Sequence, residues 1–374
     1  MAVAPDNDRR QRRLLIANDS PAMSAVIGAI VATEPNLSVV ATATDGKEAV
    51  RLVQRLRPDL VLMDIHMPVM SGVEAIRRIV ESGSRTRVLV TSATINRNLP
   101  LIFDALKVGA VDFVRSPALP YSPGTPVARD ALRAAGAKLL NKIRTVLTIL
   151  DKRGASAIQD AAAPPCVAAI EPAFSAERES LAPDAAGGRL VAIGCSTGGP
   201  TTLAVLLSAL PRPLPTPVLI CQHIEPDFTA GFVEWLARET RIPVELTRDR
   251  SEPQPDRVYV APGGQYNLAV SASSRLLLET AAPGQIYVPN IDHLFRTIAE
   301  QFEDRACGLI LTGMGDDGAR GLRAIRERGG AAFVQDEQSA IIPSMPRSAL
   351  RMAGLERGYP LATLARLLTE WMNQ

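Results

Sequence analysis

Residues 189–200 read RLVAIGCSTGGP: an apolar run, a glycine-flanked polar turn, and a glycine–proline pair that opens a helix. A strand buried on both faces reads as a continuous apolar stretch, and proline fits the first turn of a helix, where its missing N–H costs nothing. The segment is therefore a strand–turn–helix unit. Its neighbours repeat the rhythm. PVLICQ (217–222), VYVA (258–261), LLLE (276–279), GLILT (308–312) and AAFVQ (331–335) read as further strands. Helical patterns fall at 200–210, 227–240, 291–303, 317–328 and 360–372. This alternation predicts a doubly wound α/β domain over 188–374.

The same alternation appears earlier. LLIA (14–17), SVVATA (38–43), LVLM (60–63), RVLVT (87–91) and DFVR (112–115) are short apolar strands. Amphipathic segments separate them at 23–33, 46–56, 72–81 and 101–107. A parallel sheet covered on both faces is expected over 13–118. Residues 119–187 turn to Ala, Pro and Ser, with a helical pattern at 128–150, and read as a helix and flexible linker between the domains.

Composition excludes several classes. The 374 residues are 47% apolar and 21% charged with a net charge of +2, so no global field points to nucleic acid or an anionic membrane. No apolar run reaches the roughly 18 residues of a membrane helix, and Leu14 to Ala17 is too short for a signal-peptide core. The four cysteines (Cys166, Cys195, Cys221, Cys307) form no CxxC pair, so neither a zinc site nor a disulfide scaffold is expected. A cytoplasmic protein without direct membrane insertion fits these features.

In a doubly wound sheet, chemistry gathers at the carboxyl ends of the strands. In the second domain these ends carry Ser196, then Gln222–His223, then Asp316–Asp317 in GLILTGMGDDGARG (308–321). Ser196 is the centre of a Gly-x-Ser-x-Gly turn that can expose its hydroxyl and supply main-chain donors to an oxyanion. Alone the pattern is weak, because glycine-rich turns also cradle dinucleotides. A dinucleotide site wants an acid at the end of the next strand, roughly 20 residues on. Here Gln222 and His223 stand there, and histidine suits a general base. His66 belongs to the first domain, and His293 reads as a surface or packing residue on a helix. The order Ser, His, Asp differs from that of α/β-hydrolases, where the acid precedes the histidine.

In the first domain Asn18–Asp19, Asp64, Thr91–Ser92 and Arg115–Ser116 stand at strand ends. Two carboxylates and an amide make an oxygen-rich pocket suited to Mg²⁺, beside which Asp64 could act as a nucleophile.

LVLMDIHMPVMSG (60–72) resembles the receiver domain of two-component response regulators, a flavodoxin-like fold. The resemblance implies phosphorylation at Asp64, Mg²⁺ at Asn18, Asp19, Asp64 and the main-chain carbonyl of His66, and a switch hydroxyl at Thr91. Two departures stand out: Asn18 occupies an acid's place, and Ser116 occupies that of the usual lysine before Pro117. They imply weaker metal binding or altered switching, up to a degenerate receiver.

The second domain resembles the catalytic domain of the CheB family of chemotaxis methylesterases. The likeness rests on IGCSTGGP (193–200), QHIEPDFTAGFVEWLA (222–237), VYVAPGG (258–264), PNIDHLF (289–295), LTGMGDDG (311–318) and SAIIPSMPRSAL (339–350). It implies Ser196 as nucleophile, His223 as base and Asp317 as orienting acid, three residues after Met314. Thr197 is then expected to support the histidine, and the Met314 N–H to help hold the oxyanion. The expected activity is demethylation of glutamate methyl esters and deamidation of glutamines, with no cofactor for hydrolysis. The expected partners are methylated chemoreceptors and the chemotaxis histidine kinase CheA. A related esterase in a non-motility chemosensory pathway, a non-enzymatic docking module and a nucleotide-binding domain are the alternatives.

Overall fold

The computed structural model describes residues 11–93, 95–118, 128–153 and 188–374. Cys166 and most of the stretch read as linker (119–127 and 154–187) lie outside the described residues. The chain divides into two compact units, with the division between Pro164 and Pro165.

The first unit runs β1 (Arg12–Ala17), α1 (Pro21–Val31), β2 (Leu37–Ala43), α2 (Gly46–Leu56), β3 (Leu60–Asp64), α3 (Gly72–Glu81), β4 (Arg87–Ser92), α4 (Ile95–Lys107) and β5 (Asp112–Arg115), followed by α5 (Arg129–Ala135) and α6 (Ala137–Arg153). The strands are parallel in the order β2-β1-β3-β4-β5. That order reverses direction at β1, which opens a crevice between the ends of β1 and β3. Helix starts are encoded locally. Asp45 accepts from the Glu48 N–H and Ser71 from the Glu74 N–H, each satisfying a donor the helix leaves open. The helical pattern at 128–150, read with the linker, forms α5 and α6 and packs on this sheet. Leu139, Leu140, Ile143, Val146 and Leu147 are buried, and Arg133 and Arg144 pair with Glu34 at 2.8 and 2.9 Å.

The second unit begins with β6 (Leu190–Cys195), α7 (Gly199–Ser208), β7 (Val218–Gln222), α8 (Pro226–Thr240), β8 (Val244–Leu246) and β9 (Val258–Val260). It continues through β10 (Tyr266–Val270), β11 (Leu276–Thr280), α9 (Ile291–Phe302), β12 (Ala306–Ile310), α10 (Ala319–Glu327), β13 (Ala331–Val334), α11 (Ser344–Ala353) and α12 (Leu361–Met372). Six strands form one parallel sheet, β13-β12-β6-β7-β9-β8. Phe228, Phe232 and Trp235 on α8 and Phe295 on α9 are its largest buried side chains.

One expected sheet strand lies elsewhere. Residues 276–280 pair antiparallel with β10 in a separate hairpin. Its apolar residues pack one-sidedly: Leu268, Val270 and Leu276 join Phe295 and Ile298 of α9 in one core cluster. The hairpin is tied there by the Val270 N–H, which donates to Thr297 Oγ1 at 3.1 Å. Among the described residues no helix is long and apolar enough to cross a membrane.

Candidate active site

The sheet order puts the serine strand between the other two site strands: β12 flanks β6 on one side and β7 on the other. The ends of β6 and β7 are laced together, with the His223 N–H donating to the Cys195 carbonyl at 3.0 Å. On the other side the Ser196 N–H donates to the Thr312 carbonyl at 3.0 Å, which draws the loop after β12 against the serine turn. That loop can pass only as glycine. A side-chain carbon on Gly313 would stand 2.8 Å from Ser196 Cβ and 2.1 Å from Met345 Sδ. Ser196 is half-buried at the head of the turn, and Gly198, at φ +77°, caps α7.

His223 and Asp317 meet directly: Nε2 lies 2.8 Å from Oδ2. The Asp317 side chain is 1% exposed and fully engaged. Oδ2 also accepts from the Ile291 N–H at 2.8 Å, and Oδ1 accepts from Asn290 Nδ2 at 3.1 Å and the Asp292 N–H at 3.0 Å. The carboxylate thus sits at the positive end of α9, whose first-turn N–H groups have no partner within the helix. An imidazole that gives its Nε2 proton to Asp317 keeps its lone pair on Nδ1. The ring is held from one face by Tyr287, stacked at 4.9 Å between centroids and 7° between planes. Burial, with the charges of Asp316 and Asp317, pushes the Tyr287 phenol above its ordinary range, so it stays protonated. Asp292 is also raised, first by burial and then by the Asp317 charge, against the Gly321 N–H that it accepts.

The remaining expected residues fall as follows. Thr197 is buried, and its carbonyl accepts from Thr312 Oγ1 at 3.0 Å. Met314 lies on the exposed lip of the loop, and Asp316 is exposed where Asp317 is buried. Ser196 Oγ and His223 are not hydrogen-bonded to each other. The His293 ring is engaged elsewhere, with Nε2 on Glu279 at 2.8 Å and Nδ1 on Arg296 at 3.2 Å. The thiol beside Ser196 is no rival nucleophile, because full burial pushes Cys195 far above the ordinary thiol range.

In the first unit Asp64 ends β3, registered against Thr91 of β4. Burial pushes its carboxyl up to about 6, the Asp19 charge adds to this, and the Ile65 and His66 N–H groups pull the other way. Asn18 turns its amide nitrogen to Asp64 Oδ2 at 3.1 Å, while its oxygen accepts from the Ser20 N–H at 2.9 Å. Asp19 is exposed. Thr91 Oγ1 and Ser116 Oγ are buried and have no hydrogen-bond partner. Thr91 is registered with Val114, and Ser116 lies two residues further on, so alternation puts both hydroxyls on the face that carries Asp64. Orphaned buried donors beside a carboxylate suit the oxygens of an arriving phosphoryl group. The exposed Asp19 and the Asp64 carboxylate suit a hard divalent cation whose other ligands are water.

Tyr287 and Asn290 lie beside and within PNIDHLF but carry no reactive group that marks them in the sequence, and Gln222 stands in the sequence only where a ribose-binding acid is missing.

Residues 191–368 match the family model described as CheB methylesterase, and residues 14–120 match the response regulator receiver domain. The chain is 34% identical to a protein-glutamate methylesterase/protein-glutamine glutaminase of Nitrosospira multiformis, over 95% of this chain and 96% of that one. It is 36% identical to a protein of Myxococcus xanthus with the same description, numbered 3, over 97% and 94%. Among solved structures, the CheB methylesterase catalytic domain of Thermotoga maritima is 29% identical and covers 49% of this chain and 98% of its own, with a TM-score of 0.47.

Proposed function

Because the chain belongs to the CheB methylesterase family and carries a response regulator receiver domain, we propose that it is a protein-glutamate methylesterase and protein-glutamine glutaminase of chemotaxis adaptation. The observation that carries this reading is the buried His223–Asp317 pair, laced through main-chain hydrogen bonds to the Ser196 turn.

His223 Nδ1 takes the Ser196 proton as Oγ attacks the γ-carbonyl of a glutamyl methyl ester. Asp317 holds the ring and faces the charge that forms on it. The Met314 N–H, with other main-chain donors, holds the oxyanion, and Thr197 supports the imidazole. The imidazolium returns its proton to the departing methoxide, and methanol leaves. Water, deprotonated by His223, then attacks the acyl-enzyme and frees glutamate and the Ser196 hydroxyl. A glutamine follows the same course and releases ammonia. No cofactor takes part in this chemistry.

Asp64 receives the phosphoryl group from the chemotaxis histidine kinase CheA, and Thr91 bonds one of its oxygens. Asn18, Asp19, Asp64 and the His66 carbonyl would hold Mg²⁺, with Asn18 as the neutral member of the set. Bound Mg²⁺ supplies positive charge that offsets the repulsion between carboxylates and phosphoryl group. Methylated chemoreceptors are the substrates, met from the cytoplasm. Ser116 in the lysine's place favours one second reading: an esterase of a non-motility chemosensory pathway whose receiver no longer switches.

The test is methanol release from methyl-labelled receptor membranes, with and without acetyl phosphate. Ser196→Ala should lower it by about 10⁴-fold or more. Near-normal release by Ser196→Ala would overturn the assignment. A wild-type rate indifferent to acetyl phosphate would favour the second reading.

A further inference from the structure

Gln222 is the last residue of β7 and stands opposite Cys195 in the register of β6 and β7. It is 2% exposed, and every polar atom of its side chain is used. Nε2 donates to the Ser196 carbonyl at 2.9 Å and to the His223 carbonyl at 3.0 Å. Oε1 accepts the Cys195 thiol at 3.1 Å. The orientation of the amide follows from these partners, because two carbonyls demand the nitrogen and the thiol proton demands the oxygen.

One carboxamide therefore clasps the main chain of the serine and the main chain of the histidine. The neighbouring helix leaves room for it: a side-chain carbon on Gly199 would stand 2.0 Å from Gln222 Oε1. No side-chain bond joins Ser196 to His223. Behind the two residues, where the β6–β7 ladder ends, Gln222 and the His223 N–H bond to Cys195 tie the serine turn to the histidine main chain. We infer that Gln222 is a positioning residue, which fixes the distance and angle between nucleophile and base without touching substrate. The inference rests on Ser196 and His223 acting as proposed above. Its mechanism is the sensitivity of proton transfer to geometry: a displacement of about 1 Å at a reacting centre can cost about 10²-fold in rate.

Gln222→Met keeps the length and apolar volume and removes both donors. Gly199→Ala leaves Gln222 in place and displaces its carboxamide. Both changes are made in the full chain, with methyl-labelled receptor membranes as substrate. For each, kcat should fall on the order of 10²-fold while KM stays within about twofold, because ground-state contacts with the receptor are untouched. Thermal melting and circular dichroism report the folded fraction by which kcat is corrected. A corrected kcat within about twofold of wild type, or a loss carried by KM, overturns the inference. So does failure of both variants to fold, which would make Gln222 a core residue and no more. Ser196→Ala, run alongside, separates the two readings. If it is inactive while the Gln222 and Gly199 variants are normal, only the positioning role falls. If it is active, the nucleophile assignment falls first.

Discussion

His223 reaches Asp317 through Nε2, the ring nitrogen farther from its own backbone, at 2.8 Å. The nitrogen left for proton transfer is then Nδ1, close to the main chain, so small movements at the end of β7 move the base directly. Asp317→Asn would set an amide where four donors now converge on a carboxylate. The amide nitrogen would face either His223 or the first turn of α9, and the alternative tautomer would put the proton on Nδ1. Methanol release should fall by about 10³–10⁴-fold with little change in KM. Asp316→Asn, at an exposed neighbour, should stay within about threefold of wild type, since surface changes away from special features have small effects. Equal losses in the two variants would rule out Asp317 as the orienting acid.

Tyr287 stacks face to face on His223. The stack restricts ring rotation, and aromatic pairs contribute about 0.5–1.5 kcal/mol beyond burial. Tyr287→Phe keeps the ring and should retain activity within about twofold, whereas Tyr287→Leu should lose about 3–10-fold in kcat. A Phe variant as impaired as the Leu variant would move the role from the ring to the hydroxyl.

How much of this could be read beforehand differs residue by residue. Strands such as Leu60–Asp64 and Leu190–Cys195 were legible because parallel strands buried on both faces leave unbroken apolar runs. The same signature misplaced Leu276–Thr280, whose leucines pack over a helix, and it could not find Val244–Leu246, a three-residue edge strand. Helix α11 has no counterpart among the expected helices; its Pro343 and Pro346 sit at the cap and in the first turn, where no N–H is needed. In the site, strand ends and the Gly-x-Ser-x-Gly turn pointed to Ser196 and His223, and the family resemblance supplied their expected roles. The choice of Asp317 over Asp316 needed the family spacing, because adjacent acids in one loop differ only in which side the turn buries. Gln222, Tyr287 and Asn290 carry no reactive group and no spacing rule. Their part is visible only once β7, the loop before α9 and the end of β6 are brought together.

Glu34 links the receiver's α1–β2 connection to α5 and α6. Burial alone would raise its carboxyl, but the hydrogen bonds and charges of Arg144 and Arg133 outweigh this and hold it below the ordinary 4.5. A carboxyl lowered in the fold stabilises above its unfolded value, and that stabilisation is lost as pH falls through the folded one. Glu34→Gln should therefore destabilise the first unit by about 1–2 kcal/mol at pH 7, the arginines being half exposed. The difference from wild type should shrink as pH drops below 4.5. Melting curves of both proteins between neutral and acid pH measure this, and a gap that persists in acid would show the loss to be packing instead of charge.

Ser116, where the receiver pattern has a lysine, leaves two orphaned hydroxyls, its own and that of Thr91, in the receiver pocket. Burial and Asp19 raise the Asp64 carboxyl from 3.8 to about 6, so between those values the folded protein holds a proton that the unfolded chain has released. Stability of the metal-free receiver must then fall as pH rises through that window, and stay lower above it. Ser116→Lys would place an ammonium on the same sheet face, favour the ionised carboxylate and flatten that slope. The midpoint of Asp64, followed by carbon-13 carboxyl shifts in EDTA, should move down from about 6 toward 3.8, and melting at pH 7 should rise. The introduced lysine would also pair with a phosphoryl oxygen, so Asp64 should take label from acetyl phosphate faster than in the wild type. An unmoved midpoint would mean that residue 116 does not face the acceptor, and that Thr91 alone serves the phosphoryl group.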